Sequence, residues 1–96
     1  MPEPLYDQVD LALRRIAGAA EGAAELSATA VGALSRLDVT VKLDAILADV
    51  QGLLIAWCVE DAQVSQQLLA DVLGVDPSSV SRRAKRHLPR LRKVLP

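Results

Sequence analysis

Apolar residues recur at helical spacing along most of this chain. After a lead containing Pro2 and Pro4, the pattern starts at Leu5, as expected of a helix entered from a proline turn. Steps of four and three from Val9 pass through Leu13, Ile16, Ala20, Ala23, Ser27, Ala30, Leu34 and Leu37, a heptad-like seam with small residues at its centre. Gly18, Gly22 and Gly32 each weaken a helix by roughly 1 kcal/mol relative to Ala. The seam therefore reads as one long helix or as two, with a break near Ala17 to Gly22. Three β-branched residues in Asp38-Val39-Thr40-Val41 predict a short connection. A strongly amphipathic helix is then expected from Lys42 through Leu43, Ile46, Leu47, Val50, Leu53, Leu54 and Trp57.

The last third is punctuated more sharply. Ser65 is placed to cap a short helix, Gln66 to Leu73, with Leu68, Leu69, Val72 and Leu73 on one face. Gly74 ends it by taking a left-handed conformation that costs glycine nothing. Val75 returns to the core, Asp76 caps the next helix, and Pro77 stands at its first position, where the missing N–H is harmless. That helix is expected to run to His87 or Leu88, with Pro89 closing it and no strand pair following.

A helix, a glycine turn and a capped second helix make the unit that places its second helix in the major groove. The segment from Gln66 to Arg83 resembles the helix-turn-helix of many bacterial regulators and recombinase DNA-binding domains. The resemblance rests on Ala70 at the helix crossing, Gly74 in the turn, Val75 after it and Val80 facing inward. It covers about a quarter of the chain and identifies a module. One departure is Arg83, three residues after Val80, where many relatives carry an apolar residue, so Ala84 has to supply that contact.

Helical spacing separates packing from contact. Val80, Ala84, His87 and Leu88 share one side, leaving Ser78, Arg82 and Lys85, with Ser79 and Arg86 beside them, facing outward as base-contact candidates. Ser65, Gln66, Arg83, Arg90, Arg92 and Lys93 are candidates for phosphate contacts.

Charge changes the picture most. The net charge of −1 conceals +7 without an acid over residues 82–96 and −8 over residues 1–81, so one end is built to meet an anion. Apolar residues are 51% of the chain and aromatics 2%, which favours helices packed through small side chains over a sheet. The expected fold is all-α: an N-terminal helical hairpin or long helix pair over residues 1–60, then a helix-turn-helix with a basic tail over residues 61–96.

Other chemistries find little support. Cys58 alone forms no intramolecular disulfide or cysteine cage, and His87 has no second histidine with which to hold a metal, so no metal or cofactor is expected. Asp44 and Asp49 share a helix without a base, nucleophile or glycine loop, which argues against an enzyme. No signal-peptide pattern opens the chain and the apolar window Leu53 to Val59 is too short to span a bilayer, so no membrane partner and a cytoplasmic location are expected.

The expected function is sequence-specific binding of double-stranded DNA by a small bacterial or phage transcriptional regulator, a homodimer through its N-terminal helices. Two alternatives fit the same residues. One is a phage packaging, recombination or sigma-factor-like DNA-binding protein; the other is a helical adaptor or antirepressor whose basic end meets an acidic protein.

Overall fold

The computed structural model describes residues 1–95, and they form an all-α protein. Its elements are α1 (Glu3–Ala24), α2 (Ala30–Ala56), a π-helical turn (Trp57–Asp61), α3 (Gln66–Leu73) and α4 (Pro77–Val94). The chain divides into two compact units, Met1–Asp49 and a second from Val50 onward. Among the described residues no helix is long and apolar enough to cross a membrane.

In the first unit, α1 starts as its prolines dictate, with Pro2 at the N-cap position and Tyr6 N–H donating to the Pro2 carbonyl at 2.9 Å. The helix runs through Gly18 and Gly22, both with open space around them, so of the two alternatives for the seam a break near Ala17 to Gly22 is absent. It falls at residues 25–29 instead. There the Thr29 hydroxyl accepts from Gly32 N–H at 3.1 Å, and the Arg36 guanidinium donates to the Leu26 and Ser27 carbonyls left over at the turn. Gly32 is required where it stands, because a Cβ on it would collide with the Ser27 carbonyl. Between the two helices, Ala20, Ala23 and Ala24 of α1 and Val39 and Leu43 of α2 line a shallow cleft.

The connection expected at Asp38 to Val41 is also absent, since α2 begins at Ala30 and passes straight through those residues. β-Branched residues cost a helix only a few tenths of a kcal/mol each, which packing readily overrides. Thr40 further satisfies its hydroxyl by donating to the Leu37 carbonyl at 2.8 Å.

In the second unit, α2 unwinds into the π turn, marked by Ala62 N–H donating to the Trp57 carbonyl at 2.9 Å. Gln63 then takes a left-handed conformation with φ 53°. α3 starts and stops where expected: the Ser65 hydroxyl accepts from Leu68 N–H at 3.4 Å, and Gly74 takes φ 69°. Its apolar positions divide, however. Leu69 and Leu73 pack on the core while Leu68 and Val72 are exposed, because eight residues against one neighbouring surface bury a narrower stripe than the three leucines and one valine define. The core gathers Ile55, Ala70, Val80 and Ala84, with Val59, Leu69, Leu73 and Val75 around them. Ala84 is fully buried, so it does supply the inward contact beside Arg83.

α4 does not close at Pro89; it continues to Val94. Pro89 lies on the exposed side and forfeits one backbone bond, whereas Leu91, two turns beyond Ala84 on the Val80–Ala84 stripe, is fully buried. Burying a leucine contributes about 2 kcal/mol, enough to offset much of that loss.

Candidate nucleic-acid interface

α4 owes its position to its cap and its stripe. Asp76 accepts from Ser79 N–H at 2.8 Å, fixing where the helix begins, and Val80, Ala84 and Leu91 turn one side into the core. Helical spacing sends Ser78, Arg82, Lys85, Arg86, Pro89 and Lys93 to the other side, and all six are exposed. No acid interrupts this face below Asp76.

At its N-terminal end the side chains are tied together. Ser78 Oγ donates to Asp76 Oδ1 at 2.6 Å, and the Arg82 guanidinium reaches back to the hydroxyls of Ser78 at 3.5 Å and Ser79 at 3.1 Å. The hydrogen bond from Ser78, then that from Ser79 N–H, holds the Asp76 carboxyl below the usual carboxylate range. Arg82 in this state is a donor already aimed along the exposed face, held by two neutral hydroxyls that it can exchange for stronger acceptors.

The remaining basic residues divide by what they touch. Arg83 and Arg90 are half-buried on one flank, and Arg90 Nη1 donates to His87 Nδ1 at 2.7 Å. Because arginine only donates, Nδ1 is the accepting nitrogen in this arrangement. On the other flank Arg92 makes a bidentate pair with Asp61 of the π turn, at 2.8 and 2.7 Å. The pair lowers the Asp61 pKa and raises that of Arg92, each chiefly through the hydrogen bonds between them. Lys93 is exposed. Ser65 and Gln66 stand exposed at the N-terminus of α3, where the first amides of the helix lack intrahelical acceptors.

Two residues organise this surface without figuring among its expected contacts. Asp76 orients Ser78 as well as capping α4, a role visible in the two-residue spacing Asp-Pro-Ser. Asp61 engages Arg92 from 31 positions away, which no local pattern announces. Elsewhere in this unit, Cys58 is half-buried and burial pushes its thiol up, away from the thiolate form.

Chemically, the surface offers several cations, two hydroxyls and a helix that projects them in one direction, which suits an extended polyanion. Comparison with protein-family models, curated proteins and solved structures finds no match to this chain.

Proposed function

We propose that α3 and α4 act as a helix-turn-helix that binds double-stranded DNA, with α4 as the recognition helix, in a small dimeric transcriptional regulator. The observation that carries this reading is the outer face of α4. Ser78, Arg82, Lys85, Arg86 and Lys93 are exposed together on a helix whose opposite side is anchored by Val80, Ala84 and Leu91. A rigid helix bearing arginine and lysine on one face fits a groove about 12 Å wide, and arginine can bond guanine O6 and N7 in bidentate fashion.

The glycine turn supports the same reading, since Gly74 N–H donates to the Ala70 carbonyl and lets α4 leave α3 within three residues. In this reading Ser78, Ser79, Arg82, Lys85 and Arg86 meet base edges. Ser65, Gln66, Arg83, Arg90 and Lys93 meet phosphates, and Arg92 serves mainly to hold α4 against the π turn. One such helix buries little surface, so a two-fold pair of subunits reading two half-sites completes the specificity.

Selection from a random duplex library at low salt tests the reading. The expected result is enrichment of a motif whose affinity falls steeply as salt rises, because each neutralised phosphate contributes about −0.9 to the log–log slope. Failure to enrich any duplex, with an acidic protein retained instead, overturns it.

A further inference from the structure

The first unit leaves one apolar helix face uncovered. Apolar residues surround α2 instead of gathering on one side, a distribution that belongs to a helix covered on both faces. One face is turned toward α1 through Val39 and Leu43. On the opposite face Leu37 and Val41 are each 60% exposed, Ala45 and Ala48 continue the same exposed stripe at helical spacing, and Leu34, 67% exposed, stands where the stripe meets the open cleft that α2 shares with Ala19, Gly22 and Ala23 of α1. We propose that this stripe is the seam of a homodimer in which α2 packs antiparallel against α2 of a second copy. The proposal rests on the dimeric reading above and assigns it a surface.

Three features select a second copy in that orientation. The first is a gradient of size, with leucines and valine in the N-terminal half of the stripe and alanines in the C-terminal half. Antiparallel pairing sets Leu34 and Leu37 of one copy over Ala45 and Ala48 of the other, so large meets small along the whole seam; parallel pairing stacks large on large and leaves gaps between the alanines. The second is charge. Asp38 and Lys42 lie on one flank of the stripe, exposed and paired with each other at 2.8 Å. The two-fold axis this register sets, near residue 41, brings Asp38 of one copy within a turn of Lys42 of the other, twice. The third is continuity. Leu34, Leu37, Val41, Ala45 and Ala48 run at helical spacing over about four turns with no charged residue among them, a seam long enough for a second helix of the same length to follow.

Sedimentation of the full chain, together with single-cysteine cross-linking in a Cys58→Ser background, tests this. The wild type is expected to sediment as a dimer, and Leu37→Asp to raise the dimer dissociation constant by about 100-fold or more with helicity by circular dichroism unchanged, because it buries unpaired charge at the seam. Val41→Cys, next to the two-fold axis, is expected to link two copies on mild oxidation, whereas Ala48→Cys is not, because antiparallel pairing sends the two Ala48 positions to opposite ends. Linkage of both variants establishes a parallel seam and overturns the proposal. A dimer in which Val41→Cys stays unlinked also overturns it, while leaving a dimeric regulator that uses another surface. A chain that is monomeric at every concentration removes the proposal and the dimeric part of the functional reading together, and DNA retention by that monomer then judges the recognition helix separately.

Discussion

Gly52 and His87 meet with the helix backbone of one against the imidazole of the other: a Cβ on Gly52 would lie 2.5 Å from His87 Nδ1 and 2.6 Å from its Cε1. The contact lets α2 and α4 approach where a side chain of any size would hold them apart, and the same imidazole pairs through Nδ1 with Arg90 Nη1 at 2.7 Å. Gly52→Ala is expected to destabilise the protein by about 1–2 kcal/mol, the overpacking penalty less the gain in helix propensity. In a His87→Ala background the same substitution should stabilise by about 0.5–1 kcal/mol. A denaturation cycle over the four proteins measures the coupling, and additive effects would refute it.

The glycines of the first unit separate in the same way. Gly18 and Gly22 stand in open space within α1, so replacing either with Ala is expected to raise stability by about 0.5–1 kcal/mol through helix propensity alone. Gly32→Ala meets the Ser27 carbonyl, and with it the turn that Arg36 closes, so it should lower stability by more than 1 kcal/mol. Thermal melts followed by circular dichroism distinguish these outcomes, and equal effects at all three positions would contradict a turn closed on Ser27.

What could be read in the chain beforehand depends on how far each boundary reaches for its cause. Ser65, Gly74, Asp76 and Pro77 act on their own backbone or on amides three residues away, and the elements they delimit were legible. The turn between α1 and α2 depends on Arg36 reaching carbonyls nine and ten residues back, and no local rule contains that. Val39-Thr40-Val41 and Pro89 were misleading for a related reason: each is a weak local preference overruled by packing. The stripe Val80, Ala84, Leu91 continued across Pro89 at helical spacing and outweighed the single lost bond. The outward face of α4 followed from spacing alone, but the engagement of Arg92 by Asp61 did not.

Pro89 should therefore be a stability reserve. Its ring removes the bond from its own nitrogen to the Lys85 carbonyl inside a helix that is otherwise continuous to Val94. Pro89→Ala is expected to stabilise the protein by about 1–3 kcal/mol, read as a higher urea midpoint with unchanged slope. A loss of stability would mean that α4 needs the break.

Acid should loosen the second unit at its carboxylates. Asp61 and Asp76 both have folded-state pKa values below the unfolded value, Asp61 through Arg92 and Asp76 through Ser78 and Ser79. A depressed carboxylate contributes stability that is present above the unfolded pKa of about 4 and is lost as pH falls through the lower folded value. Urea midpoints should accordingly fall below about pH 4. Asp76→Asn keeps a capping oxygen but cannot ionise, so it should flatten that fall while leaving neutral-pH stability close to wild type. An unchanged acid limb in this variant would assign the effect elsewhere.

Arg92 and Lys93, adjacent in sequence, should behave as opposites on DNA. Lys93 is exposed, so Lys93→Gln is expected to weaken binding to all duplexes alike and to reduce the log–log salt slope by about 0.9. The Arg92 guanidinium is spent on both oxygens of Asp61, so Arg92→Gln should leave the slope nearly unchanged and lower the melting temperature instead. Arg82 forms the third case. Its hydrogen bonds to Ser78 and Ser79 are exchangeable for guanine acceptors, so Arg82→Ala should cost about 1–3 kcal/mol on the preferred site and relax the preference at one base pair while costing much less on unrelated duplexes. Titrations of the three variants against the selected site and a scrambled one, at several salt concentrations, separate contact from scaffold. Equal losses on both duplexes for Arg82→Ala would remove it from base recognition, and a slope change for Arg92→Gln matching that of Lys93→Gln would mean that the pair with Asp61 opens when DNA binds.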